Sequence, residues 1–359
     1  MESRGIVLQS LSFAGAPRIP MSLPEPYPHD FLSCGVDKDP EWKPRRTWDM
    51  ERGGRWEDEW GNVWASLDSY SKGEVVEGAL QDWSDLDLYV MPRFDKPERY
   101  EQPRRRFEEH PQRYHIGGLP GFPFAIMRYL RRMDIFLADL LLHPKQVRIL
   151  AERVVDLLVA CMDHWAHAGA DGVMFAEDWG TQDRLLVSPA MWREIFKPDF
   201  VRLCDAARQR RLHVWMHSCG YIWDIIPDLI ECGVSVLQLD QPALFGVDRL
   251  AAYFGGRVHF WCPVDIQRVL PTGNLDLIDS FARQLVEQLG CFGREGGRAG
   301  FIAGYYGGNE AIGVDPEWQD HACRAFVKYG AAARTHLAGS GQARPRGPTQ
   351  AGSGQAAAE

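Results

Sequence analysis

The sequence contains no run of about 18 apolar residues, so it offers no membrane-spanning helix. No GxGxxG or Walker loop follows any expected strand, so the usual signatures of dinucleotide or nucleoside triphosphate binding are missing. None of the eight cysteines (Cys34, Cys161, Cys204, Cys219, Cys232, Cys262, Cys291 and Cys323) forms a Cys-x-x-Cys pair. Cysteines so dispersed indicate a reducing compartment, where thiols act as ligands, nucleophiles or packing rather than as disulfides. Positive charge is in deficit: 40 Lys and Arg against 49 Asp and Glu give a net charge of −9, which argues against nucleic acid as a partner. The first 20 residues have one early arginine, Arg4, and no sustained hydrophobic segment. They do not read as a signal peptide, and a cytoplasmic location is expected.

What is present is a globular composition, 45% hydrophobic and 25% charged, over 359 residues with 13 tryptophans. That length suits one large domain or two smaller ones. Residues 1–54, rich in proline and glycine at their start, read as an extended arm. The alternating segment 55–64 places Trp56, Trp60 and Trp64 at a spacing suited to a hairpin strand of a cap. Residues 92–115 are dense in charge and read as a solvated helix or loop.

From residue 113 a regular alternation sets in. Strands are expected at 113–117, 173–176, 212–216, 234–239, 258–261 and 300–304. Helices are expected at 126–142, 145–168, 222–232, 247–254, 275–290 and 317–337. Ser188-Pro189 opens a further helix, with serine as N-cap and proline at the first helical position. Alternation at about 30 residues per unit implies parallel strands joined by crossover helices. The expected fold is a TIM-like (β/α)8 barrel over residues 55–337. Residues 338–359, rich in Gly, Ser, Pro and Ala, read as a disordered tail.

The reactive side chains cluster just after the expected strands: Glu177, Asp178 and Gln182; His217 and Cys219; Asp240 and Gln241; Cys262 and Asp265; Tyr305, Tyr306 and Asn309. In a parallel barrel these positions open at one mouth, where barrel chemistry takes place. His217 and Cys219 lie two apart, so in extended chain they share a face and can grip one ion, zinc accepting such an N/S pair. The other reading is a polar active-site histidine beside a small buried cysteine. Glu177-Asp178 supplies a metal ligand, a general acid or base, a substrate acceptor or a turn cap. Cys262 is a third ligand from another strand, or packing. Tyr305-Tyr306 lines a flat ligand or closes the rim. His164, His167 and His321 read as surface or packing residues.

The run Glu177-Asp178-Trp179-Gly180-Thr181-Gln182 resembles the uroporphyrinogen decarboxylase superfamily, as do Ser188-Pro189, Phe196-Lys197-Pro198, His217-Ser218-Cys219-Gly220, Asp240-Gln241-Pro242 and Val264-Asp265-Ile266-Gln267. Asp58-Glu59-Trp60-Gly61 and Leu80-Gln81-Asp82 resemble the N-terminal part of its bacterial branch close to the corrinoid-dependent methyltransferases. The resemblance implies one barrel with its site at the C-terminal mouth, and two known chemistries. One is zinc-dependent methyl transfer between a thiol or small substrate and a corrinoid on a partner protein. There His217 and Cys219 match the His-x-Cys zinc pair, and Cys262 stands in for the distant cysteine, because Tyr305, Tyr306 and Gly307 occupy its usual place.

The other chemistry is cofactor-free decarboxylation of a carboxylated, porphyrinogen-like substrate, with Glu177 or Asp178 as proton donor and Arg184 and Arg268 as candidate anion contacts. The decarboxylases' arginine-glutamine-alanine-glycine-arginine run has no counterpart here. The expectation is therefore a zinc methyl or alkyl transferase. Glu177, Asp178 and Asp265 are its catalytic candidates, Gln182, Gln241, Tyr305, Tyr306 and Asn309 its substrate contacts, and His217, Cys219 and Cys262 its metal ligands. The decarboxylase-like lyase is the alternative, with a non-catalytic binding barrel as a third. The family also implies a homodimer.

Overall fold

The computed structural model describes residues 1–46, 54–66, 73–290 and 300–332. The expected tail at 338–359, the end of the last expected helix and Cys291 lie outside the described residues. In chain order the strands are β1 (Phe31–Cys34), β2 (Arg55–Glu57), β3 (Val63–Ala65), β4 (Glu74–Glu77), β5 (Tyr114–Gly118), β6 (Gly172–Ala176), β7 (His213–His217), β8 (Val236–Gln238), β9 (His259–Cys262) and β10 (Gly300–Ala303). The helices are α1 (Ser3–Leu11), α2 (Glu101–Glu109), α3 (Pro123–Arg131), α4 (Met133–Leu142), α5 (Pro144–His167), α6 (Pro189–Ile195), α7 (Lys197–Gln209), α8 (Ile226–Cys232), α9 (Val247–Phe254), α10 (Leu275–Leu289) and α11 (Pro316–Ala332).

Seven strands form one parallel, curled sheet in the order β1-β5-β6-β7-β8-β9-β10. The architecture is the expected TIM-like α/β barrel. Between the two edge strands Met21 pairs in parallel with Ala303, and Ser22 pairs antiparallel with His29 just ahead of β1. β2, β3 and β4 form a separate antiparallel sheet.

Because successive strand residues face opposite sides, register decides which side chains enter the barrel. His217 pairs with Gln238, Gln238 with Trp261, and Trp261 with Ile302. This row faces inward, above a plug of Phe31, Tyr114, Ile116, Trp215 and Val236. Phe31 meets Tyr114 and Trp215 edge-on at 5.9 and 5.5 Å between centroids, an attractive arrangement of ring quadrupoles. The alternate residues Val173, Phe175, Val214, Met216, Leu237, Phe260 and Cys262 belong to the outer core beneath the helices.

Several expectations are corrected. Residues 1–54 are not merely an arm. Apolar residues of α1, Val7 and Leu11, pack against the barrel plug, and Phe31–Cys34 is a barrel strand beside β5. A four-residue strand with a half-polar pattern carries too short a period to recognise, and pairing with β5 is what makes it extended. The segment 55–64 folds as a hairpin rather than one strand: Trp56 and Trp64 face each other across β2 and β3, and Trp60 lies between the strands. The single helix expected at 126–142 is two, broken at Arg132, whose φ is +66°. The solvated helix in 92–115 is α2, which buries only Pro103 and Phe107. Ser188 caps α6 as expected, its hydroxyl accepting the Met191 N–H at 3.1 Å. Among the described residues no helix is long and apolar enough to cross a membrane.

α1 closes the barrel floor. Arg4 pairs with Asp171 at 2.6 Å, and the His259 Nε2–H donates to the Ser10 carbonyl at 2.9 Å. Burial lowers the His259 pKa to about 4, and nearby His213 pushes the same way. The unfolded chain takes up this proton near pH 6.5, the folded chain only near 4. Stability from this group is therefore complete above pH 6.5 and falls by up to roughly 3 kcal/mol as the pH drops to 4. Thermal melts of the wild type and His259→Gln test this. The wild type should lose more Tm between pH 7 and 5 than the variant, and parallel losses would reject the assignment.

Candidate metal centre at the barrel mouth

Two loops at the C-terminal ends of β6 and β7 build the centre. Register places Ala176 beside His217, and the Glu177 N–H continues the ladder to the His217 carbonyl at 2.9 Å. Beyond the strands the loops meet backbone to backbone, the Tyr221 N–H donating to the Thr181 carbonyl at 2.7 Å. A Cβ on Gly180 would sit 2.4 Å from the Tyr221 nitrogen, and one on Gly220 2.2 Å from the Gly180 oxygen. Gly220 also has φ +77°, so this contact requires glycine twice over. The approach lets the Cys219 N–H donate to Asp178 Oδ1 at 2.8 Å.

Three donor atoms of different chemistry result. His217 Nε2 is 3.3 Å from Cys219 Sγ and 3.6 Å from Asp178 Oδ1, and one ligand atom from each residue lies within 4.8 Å of the others. His217 Nδ1–H donates to Gln238 Oε1, which leaves the Nε2 lone pair facing the thiol and the carboxylate. Gln238 Nε2 in turn donates to Asp240 Oδ1 at 2.6 Å. This relay from carboxylate to amide to imidazole fixes the orientation and tautomer of His217, as second partners do for histidines that hold metals. Burial raises the Cys219 thiol to about 12, helped by Asp178 and Asp240. Without a cation the thiol stays protonated at neutral pH, and a metal would reverse that balance. Burial also raises the Asp240 carboxyl, against the pull of His217. A nitrogen, a sulfur and an oxygen donor would suit zinc, and three protein ligands would leave a fourth position for water or substrate.

Other expected site residues stand elsewhere. Cys262 is fully buried in the outer core, since Trp261 takes the inward position of β9, and it does not join the ligand cluster. Glu177 is fully buried. Its Oε1 accepts the Phe124 and Ala125 N–H groups at 2.7 and 3.2 Å, and Oε2 accepts the Trp179 indole N–H at 3.0 Å. It caps α3, whose own N-cap residue, Phe122, supplies no side-chain bond. Burial pushes its pKa up to about 8 against those three donors. Asp265 is also a loop anchor, its carboxylate accepting the N–H groups of Ala243, Gln267 and Arg268 at 2.7–2.9 Å. Gln241 Oε1 accepts the Gly220 N–H at 3.2 Å and holds the ligand loop.

Gln182 is exposed at a loop tip, and Arg184 is tied to Asp183. Tyr306 is half-buried and faces the centre. Burial raises its phenol, and the charges of Asp240 and Cys219 add to the effect. Tyr305 accepts from Asn309 Nδ2 at 3.1 Å, so this pair braces the rim.

The uroporphyrinogen decarboxylase (URO-D) family model matches residues 70–278, more than half of the 359-residue chain. The chain belongs to the uroporphyrinogen decarboxylase family. A methyltransferase from Methanosarcina mazei has a similar fold, with a TM-score of 0.58 at 16% identity over 76% of each chain. The 3-keto-D-glucoside 4-epimerase YcjR from E. coli aligns at TM-score 0.39 and 14% identity, over 67% of this chain and 85% of that one. No curated protein matches the sequence.

In this URO-D family member three functional residues escaped the sequence reading. Gln238 holds the parity of the inward row, a signal that only register reveals. Arg128 on α3 lies 3.8 Å from Asp178 Oδ2 with its Nε buried and unpartnered, and no motif marks it. Gln319 on α11 bonds the backbone N–H and C=O of Tyr306 and the Asn309 side chain, and so pins the 305–309 loop. Two outcomes follow for variants. Gln238→Leu should weaken metal binding about 10- to 100-fold with little change in Tm, read by chelator competition, whereas Cys262→Ala should leave affinity unchanged. Glu177→Ala strands three buried donors and should cost about 3 kcal/mol or more in denaturant unfolding, with Glu177→Gln costing less.

Proposed function

We propose that this URO-D family member is a zinc-dependent methyl or alkyl transferase, moving a methyl group between a small substrate or thiol and a corrinoid carried by a partner protein. The observation that carries the reading is the convergence of Asp178, His217 and Cys219 at the barrel mouth, with the histidine tautomer fixed by Gln238. A zinc ion held by these residues would supply the positive charge that keeps a bound sulfur or oxygen as its anion at neutral pH. Asp178 is 39% exposed against 17% for His217, and it could give way to an entering ligand and take its proton. Arg128 balances the carboxylate that remains.

The decarboxylase alternative loses support from specific residues. Of its two candidate proton donors Glu177 is consumed in capping α3, which leaves Asp178, the carboxylate that the metal reading also uses. Its anion contacts are also engaged, Arg184 by Asp183 and Arg268 by the Ala243 carbonyl.

Protein purified without chelator should carry about one zinc per chain by elemental analysis. His217→Ala and Cys219→Ala should lose it while keeping their fold by circular dichroism. Metal-free wild type that decarboxylates a carboxylated substrate in chelator at full rate would overturn the reading in favour of the lyase.

A further inference from the structure

A cavity of about 510 Å³ opens between β1, the small β2–β4 sheet and the turn after β5. It is a common size for a small-molecule site. Gly35, Gly118 and Leu119 line both this cavity and a hollow of about 320 Å³ at the barrel mouth. That hollow reaches Ala176, the register partner of His217. The two spaces share these residues and adjoin, the inner one ending at β6 beside the strand that carries His217, and the outer one is walled by Trp42, Trp56, Trp60 and Phe94. Trp56 stacks on Trp64, and Trp60 lies against Phe94. Trp42 is half-buried yet has no ring partner among the described residues.

The charged groups of the wall all have hydrogen-bond partners, with one exception. Glu57 pairs with Arg45 at 2.6 Å and Glu59 with Arg99 at 2.8 Å. Asp58 accepts the Trp64 indole N–H at 2.7 Å together with two bonds from Asn62. Beside the cavity Asp39 takes Lys96 at 3.0 Å, and Asp37 sits in the field of Arg99 and Arg106. Lys38 lines the cavity, is exposed, and has no anionic partner among the described residues. It follows Cys34, the last residue of β1, by four positions, a reach of at most about 14 Å. One unmatched ammonium among indole faces suits a flat ring bearing a single negative charge, because the faces bind the ring and the lysine selects the charge.

We propose that this cavity is the substrate subsite and that it takes a planar aromatic carboxylate, its ring between the tryptophans and its carboxylate at Lys38. The inference rests on the methyl-transfer reading in one respect, that the methyl-bearing end of the ligand points to the mouth.

Titration calorimetry of the full chain, stripped of metal, with 4-methoxybenzoate, cyclohexanecarboxylate and 4-methoxybenzylamine tests it. The aromatic anion should bind at least tenfold tighter than either the non-planar acid or the amine. Lys38→Glu should cost the anion about tenfold or more without lowering Tm, and Trp42→Ala should weaken both aromatic ligands. Binding is read on the metal-stripped chain, so loss of the metal reading leaves this result standing. Equal affinity for anion and amine, or affinity untouched by both Lys38→Glu and Trp42→Ala, would overturn the proposal even if zinc is bound and methyl transfer occurs.

Discussion

The backbone contact between Gly180 and Gly220 is the constraint on which the site depends. Side chains on neighbouring parallel strands stand about 4.8 Å apart, and the loops beyond usually diverge. Here glycine lets two loops touch, and Asp178 is brought onto the Cys219 N–H as a consequence. Any Cβ at either position would push the loops apart and carry the carboxylate away from the imidazole and the thiol. The convergence of Asp178, His217 and Cys219 is thus a product of missing side chains as much as of the three residues themselves.

The same residue types serve opposite ends around this contact, and burial and partners sort them. Glu177 and Asp178 are neighbours. One is fully buried with three N–H donors, while the other is partly open to solvent beside Arg128. A carboxylate with its lone pairs occupied by backbone donors at a helix start holds structure and has little capacity left for a ligand. Asp265 belongs with Glu177, since its oxygens gather the N–H groups of Ala243, Gln267 and Arg268. Asp240 acts at one remove, through Gln238 on His217. The chemistry therefore narrows to the few groups that retain an unshared donor or acceptor facing the mouth.

The N-terminal residues extend the site outward. β1 completes the edge of the barrel beside β5, and the chain leaving it runs past Gly35 and Lys38 toward the small antiparallel sheet. That sheet and its turn bring Trp56 and Trp60 to the cavity wall, and Glu57 and Glu59 are neutralised by Arg45 and Arg99. A barrel mouth alone is shallow, and this added wall gives the space beyond β1 and β5 both depth and an aromatic surface.

Much of the barrel was legible in the sequence, because strands and helices repeat with clear apolar periods from residue 113 onward and capping residues such as Ser188-Pro189 mark the boundaries. The gathering of polar residues after each strand, and His217 with Cys219 among them, followed from that alternation and from the family's motif. The short strand Phe31–Cys34, the break at Arg132, the roles of Gln238, Arg128 and Gln319, and the exclusion of Cys262 did not. Sequence alone determined which chemical groups lie near the strand ends, since local periodicity is a property of neighbouring residues. Tertiary structure decided which of them face one another. Inward or outward parity depends on how each strand registers against the next, and a shift of one residue would exchange Trp261 for Cys262 at the mouth.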